Sequence, residues 1–184
     1  MDIAAIVISV LSLLVAGIGT YLSDKRSREA KAEAQKATAS GHWSALQEAV
    51  QRLLGFDPLR EPLGDRMTNL RIAMIELADD LADWEGLSQW LEAERLLGAT
   101  NARLVMETAK PDDDIDQYLE RLRPLKTWAT VLSQNLRKLR SIGHDEATLA
   151  KLREIAETRV KNIHEQNGWG PPPGPDPHIQ PLEF

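Results

Sequence analysis

Residues 115–139 read IDQYLERLRPLKTWATVLSQNLRKL. Ile115, Tyr118, Leu122, Leu125, Ala129, Leu132, Leu136 and Leu139 follow one another at steps of three and four. That step keeps every one of them on a single side of a helix, because the α-helix turns once every 3.6 residues. A strand would need alternation by two, and the stretch has none. Pro124 lies inside the seam. It removes one backbone hydrogen bond and predicts a kink, but the apolar phase is the same on both sides of it. Gly143 is the expected stop.

The same pattern extends in both directions. Trp43, Leu46, Val50, Leu53 and Leu54 predict a helix from His42 to Leu54, closed by Gly55 and by the prolines of Asp57-Pro58 and Glu61-Pro62. Asp65 reads as the N-cap of a second helix, with a seam of Met67, Leu70, Met74, Leu77, Leu81 and Trp84 that ends or bends at Gly86. Leu87, Trp90, Leu91, Leu97, Leu104 and Val105 mark a third helix ending before Pro111, with Gly98 as an unexplained weak point inside it. Asp112 to Asp114 place negative charge at the start of the Ile115 helix, where the dipole favours it. A fifth helix begins near Asp145, buries Leu149, Leu152, Ala156, Val160 and Ile163, and ends at Asn167-Gly168. These five helices place a bundle domain at residues 42–167. Trp43, Trp84, Trp90 and Trp128 are expected to fill its core.

Residues 3–22, IAAIVISVLSLLVAGIGTYL, carry no charge and no proline. A helix of about 20 residues rises roughly 30 Å, the thickness of a bilayer core. No basic residue precedes it, which argues against a cleaved signal peptide. Lys25, Arg26, Arg28, Lys31 and Lys36 follow it. The basic side stays in the cytoplasm, so the expected topology is a single span in the plasma (inner) membrane, N-terminus outside and the remainder inside. The basic cluster can also rest on anionic lipid headgroups. Ser12, Ala16 and Thr20 form a row of small residues on the span, a packing face for another membrane helix. The domain reading is therefore 1–22 transmembrane anchor, 23–41 basic Ala-rich helical stalk with a break or kink at Ser40-Gly41, 42–167 helical bundle, and 168–184 Pro-rich extended tail. The fold class is all-α. The layout of span and basic Ala-rich helix resembles that of many bacterial single-span proteins.

Composition limits the chemistry. The 184 residues include no cysteine and carry a formal net charge of −6. Thiolate metal sites and thiol nucleophiles are excluded, and an acidic chain is poorly suited to neutralising phosphates, so no nucleic-acid partner is expected. No catalytic triad order, phosphate-binding glycine loop or H-E-x-x-H stands in the sequence. Asp112, Asp114 and Asp116 start like a calcium loop, but Gln117 occupies the position that needs glycine and Arg123 the position that needs glutamate. No cofactor and no metal are expected. The tail pattern Pro172-Pro173-Gly174-Pro175 is a PxxP, and Trp169, Pro172 and Pro175 are its candidate partner-binding residues.

Two short motifs carry resemblances. Asp79-Asp80-Leu81-Ala82-Asp83 resembles the first aspartate-rich motif of the isoprenoid synthases, which would imply magnesium-held diphosphate. The second metal motif of that family is missing, and a solvated helix face accounts for the same residues. Arg159 and His164 fit the R-x4-H pattern of the HEPN ribonucleases, all-helical domains of similar size. That resemblance implies a catalytic pair in which Arg159 and His164 assist attack by a ribose 2′-hydroxyl and protonate the leaving group. Val160 stands where the HEPN pattern usually has a polar residue. The sequence thus gives a membrane-tethered helical interaction or scaffold module, with a protein partner or a second copy expected. Its alternative is a membrane-tethered HEPN-like ribonuclease or effector.

Overall fold

The computed structural model describes residues 38–57, 61–110 and 114–173. The chain divides into two compact units, residues 1–41 and 42–184. The expected span, with Ser12, Ala16 and Thr20, and nearly all of the expected stalk lie outside the described residues. Among the described residues no helix is long and apolar enough to cross a membrane.

The described residues form five helices and no strand. Helix α1 occupies 38–54, α2 is Leu63–Asp80, α3 Leu87–Thr108, α4 Ile115–Ile142 and α5 Glu146–Gln166. Helix α3 packs against α2, α4 and α5. It is buried on most of its circumference, through Leu87, Trp90, Leu91, Leu97, Ala102 and Val105 among others. Leucines of all five helices join one core: Leu46 and Leu53 from α1, Leu70 and Leu77 from α2, Leu132 and Leu136 from α4, and Leu149 from α5, along with those of α3.

The boundaries differ from the sequence reading in three places. The helix does not break at Ser40-Gly41: both residues are helical. The propensity cost of one glycine is about 1 kcal/mol, which the buried Trp43 and Leu46 in the next turn outweigh. Helix α2 starts at Leu63, two residues before the expected cap. Pro62 is its N-cap, with φ −74° and ψ 138° and no side-chain bond, and Asp65 falls in the first turn. Helix α2 also stops at Asp80, so Leu81 and Trp84 leave the predicted seam and become the two ends of a turn, Trp84 N–H donating to the Leu81 carbonyl at 2.8 Å. Gly86 at φ 86° then redirects the chain into α3.

Elsewhere pattern and structure agree. Helix α4 runs through Pro124, and its seam is buried from Leu122 to Leu139. It begins in a capping box: Asp114 accepts from the Gln117 N–H at 2.8 Å, and the Gln117 side chain accepts from the Asp114 N–H. Ile115, read as the first residue of the seam, is 61% exposed, and the seam meets the core from Tyr118 onward. Helix α5 is capped by Asp145, which accepts from the Thr148 N–H and hydroxyl. Those bonds hold the Asp145 carboxyl below its ordinary range.

Candidate functional site

Three groups of polar side chains sit inside or against the bundle. The first centres on Glu94, on the buried face of α3 one turn after Trp90 and one turn before Gly98. Its two carboxylate oxygens accept from two indoles. Trp90 Nε1 donates at 3.1 Å, and Trp128 Nε1 reaches across from α4 and donates at 2.8 Å. Burial raises the Glu94 carboxyl above its ordinary value. The indole bonds from Trp128 and Trp90, and the charge of Arg159 on α5, oppose that rise. A carboxylate with both oxygens committed and little solvent around it is built to join α3 to α4.

The second group closes the C-terminal end of α5. His164 is buried, and its Nδ1 lies 2.7 Å from the Gly170 carbonyl oxygen. Gly168 at φ 64° turns the chain back, and the Trp169 N–H donates to the His164 carbonyl at 2.9 Å. The Trp169 indole then lies against α3. Its Nε1 donates to Glu107 at 2.9 Å, the Arg103 guanidinium stacks 4.0 Å from its ring centroid, and the His164 ring meets it edge-on at 5.2 Å. A hydrogen bond, a cation–π contact and a ring contact converge on one side chain.

The third group lies where α1, α2 and the two turns meet. His42 Nδ1 is 2.6 Å from Asp80 Oδ2. Trp84 packs between Trp43, at 6.0 Å, and His144, stacked at 5.5 Å. His144 Nε2 lies 3.0 Å from the Glu85 carbonyl oxygen. Deeper in the bundle, buried Ser133 of α4 accepts from Gln47 and Gln51 of α1, the latter at 3.2 Å.

The residues singled out from sequence fall as follows. Arg159 is exposed, while His164, five residues on, is buried and bonded to its own chain. Asp79 and Asp83 are exposed, and Asp80 pairs with His42. Among the described residues no group of three His, Asp or Glu side chains is placed to hold a metal ion. Trp169 is engaged by α3, Pro172 is half-buried, and Pro175 lies outside the described residues. Glu94 was missed by the sequence reading, although it falls between Trp90 and Gly98 on the apolar stripe. A charged residue on such a stripe is the signal that could have found it.

The surface offers a groove of about 240 Å³ between α1 and α2. Ala45, Ala49 and Ala73 line it, with Ile72 at its edge and Glu48, Arg52, Arg66 and Glu76 around it. It is shallower than the enclosed cavities that take small organic ligands. Comparison with protein-family models, with curated proteins and with solved structures finds no match to this chain.

Proposed function

We propose that this chain is a membrane-tethered, cytoplasm-facing helical module that acts by binding another protein chain. The observation that carries the reading is the division of labour in the bundle. The buried polar side chains Glu94, Ser133 and His164 are bonded to other parts of the chain, whereas large apolar side chains such as Ile72 and Ile75 face outward on one helix. Polar groups spent on packing serve stability, and outward apolar groups lose contact with water only when something covers them. The uncharged stretch 3–22 and the basic residues after it support the tether and its orientation.

The test uses the full chain in native membranes. After crosslinking and solubilisation, the expected result is a chain that resists alkaline washing of the membrane fraction and is recovered joined to a defined protein, another copy included. Recovery in the soluble fraction would remove the tether. Incubation with total RNA tests the HEPN-like alternative. Cleavage that disappears in Arg159→Ala, whose exposed side chain can be removed without unfolding the bundle, would replace the binding role with a nuclease.

A further inference from the structure

Helix α2 carries two seams. Leu70, Met74 and Leu77 face the core. Thr68, Ile72, Ile75 and Asp79 repeat at steps of four, three and four on the other side, and all four are exposed. At 3.6 residues per turn they fall within a ~60° arc opposite Leu70 and Leu77. Ile72 and Ile75 are 49% and 47% exposed. The alanines of the α1–α2 groove extend the apolar surface to one side.

We propose that this face is a contact between two copies of the chain, with the α2 helices antiparallel about the midpoint between Ile72 and Ile75. The order of residues along the seam carries the assignment. Turning one copy end for end sets Ile72 of each against Ile75 of the other. The same operation sets each Thr68 opposite an Asp79, so a hydroxyl donates to a carboxylate at both ends of the apolar centre. The seam is therefore complementary to itself, as a two-fold contact requires. A parallel pairing would bring Asp79 against Asp79, two like charges. The groove beside the seam has two glutamates, Glu48 and Glu76, and two arginines, Arg52 and Arg66. This flank is balanced in charge within a chain of −6, so the charge that the contact adds is the one Asp79 of each copy, and the antiparallel order sets these two at opposite ends. The inference deepens the binding role by naming its partner, and it does not depend on the membrane tether.

The absence of cysteine makes the test direct. Full-length Ile72→Cys and Ile75→Cys chains carrying different tags are mixed and oxidised, with Glu154→Cys, on an exposed face of α5, as the collision control. A mixed-tag disulfide well above that control is expected, and a second from Thr68→Cys with Asp79→Cys. Ile72→Glu placed in the Thr68→Cys and Asp79→Cys chains should abolish the second disulfide while the helical circular dichroism stays unchanged. Mixed disulfides no stronger than the Glu154→Cys control would overturn the contact. An Ile72→Cys chain that pairs best with itself would overturn the antiparallel order. Adducts formed only with a different protein would give the face to that protein, leaving the binding role in place without the self-contact.

Discussion

Gly98 and Trp128 share one slot: a Cβ built on Gly98 would lie 2.3 Å from Cη2 of Trp128, far inside the contact distance of non-bonded carbon atoms. The glycine in the middle of α3 is thus the recess into which the α4 indole is laid, with its Nε1 reaching Glu94. Gly98→Ala should force the buried ring or the helix axis to move and lower stability by about 1–3 kcal/mol, even though alanine is the better helix former. Thermal unfolding checks this. An unchanged or raised Tm would mean that the ring does not fill the slot.

Glu94 supplies a pH signature. Burial raises its carboxyl above the ordinary value, so the folded state holds this proton more tightly than the unfolded chain does. The stability from that group is fully present below the unfolded value and is lost as pH rises through the folded one. Glu94→Gln removes the titration. It also turns an amide N–H₂ toward one of the two indole donors, which costs about 1–3 kcal/mol for the unmatched buried group. The difference in Tm between wild type and Glu94→Gln should shrink as pH rises from the ordinary carboxylate range and level off once Glu94 is ionised in the folded state. A difference that grows with pH would reverse the assigned shift.

The core could be read in the sequence wherever one apolar stripe faced one way. The α4 seam from Leu122 to Leu139 and the α5 residues Leu149, Ala156 and Val160 are buried as their spacing requires. On α3 the expected residues Leu87, Trp90, Leu91, Leu97 and Val105 are buried, but the reading was incomplete, because a helix surrounded by neighbours has no single apolar stripe. Glu94 and Gly98 are buried there under Trp128, which α4 lays against both. Reading failed at the α2 end, where Leu81 and Trp84 keep helical spacing but Gly86 needs a turn before it. The clasp at Trp169 was illegible for a different reason: Glu107 lies 62 residues away in the chain, and no local pattern links them.

Leu132 lies fully buried at the centre of the α4 seam. Leu132→Asp should unfold the bundle, since an unpaired buried carboxylate costs several kcal/mol against a total of about 5–15. Circular dichroism on heating reads the loss directly, and an unchanged melting curve would misplace the seam.

The Trp169 clasp should set the local stability of the end of α5. Trp169→Ala removes the indole bond to Glu107, the stacked Arg103 and the edge contact with His164 together. The sum expected is about 1–2 kcal/mol, because Glu107 and Arg103 are exposed enough to regain water. Amide exchange at Ile163 to Gln166 should accelerate while exchange in the centre of α4 stays slow. Uniform acceleration would mean that the clasp supports the whole bundle.

The last prediction concerns the proposed span. Lipid gives two apolar helices no hydrophobic reason to pair, so their association has to come from close backbone approach. Ser12, Ala16 and Thr20 recur at every fourth residue and, in a helical span, would leave a groove shallow enough for that approach. A β-branched side chain at the middle position would fill it. Ala16→Ile should therefore weaken association between spans by about 1 kcal/mol or more while raising, not lowering, the hydropathy that drives insertion. A two-hybrid assay of the isolated span in bacterial membranes measures this apart from the α2 face. Equal signal from wild type and Ala16→Ile, both above a non-pairing control, would place the contact on another side of the helix. Absence of signal in both would leave α2 to hold two copies together without help from the membrane.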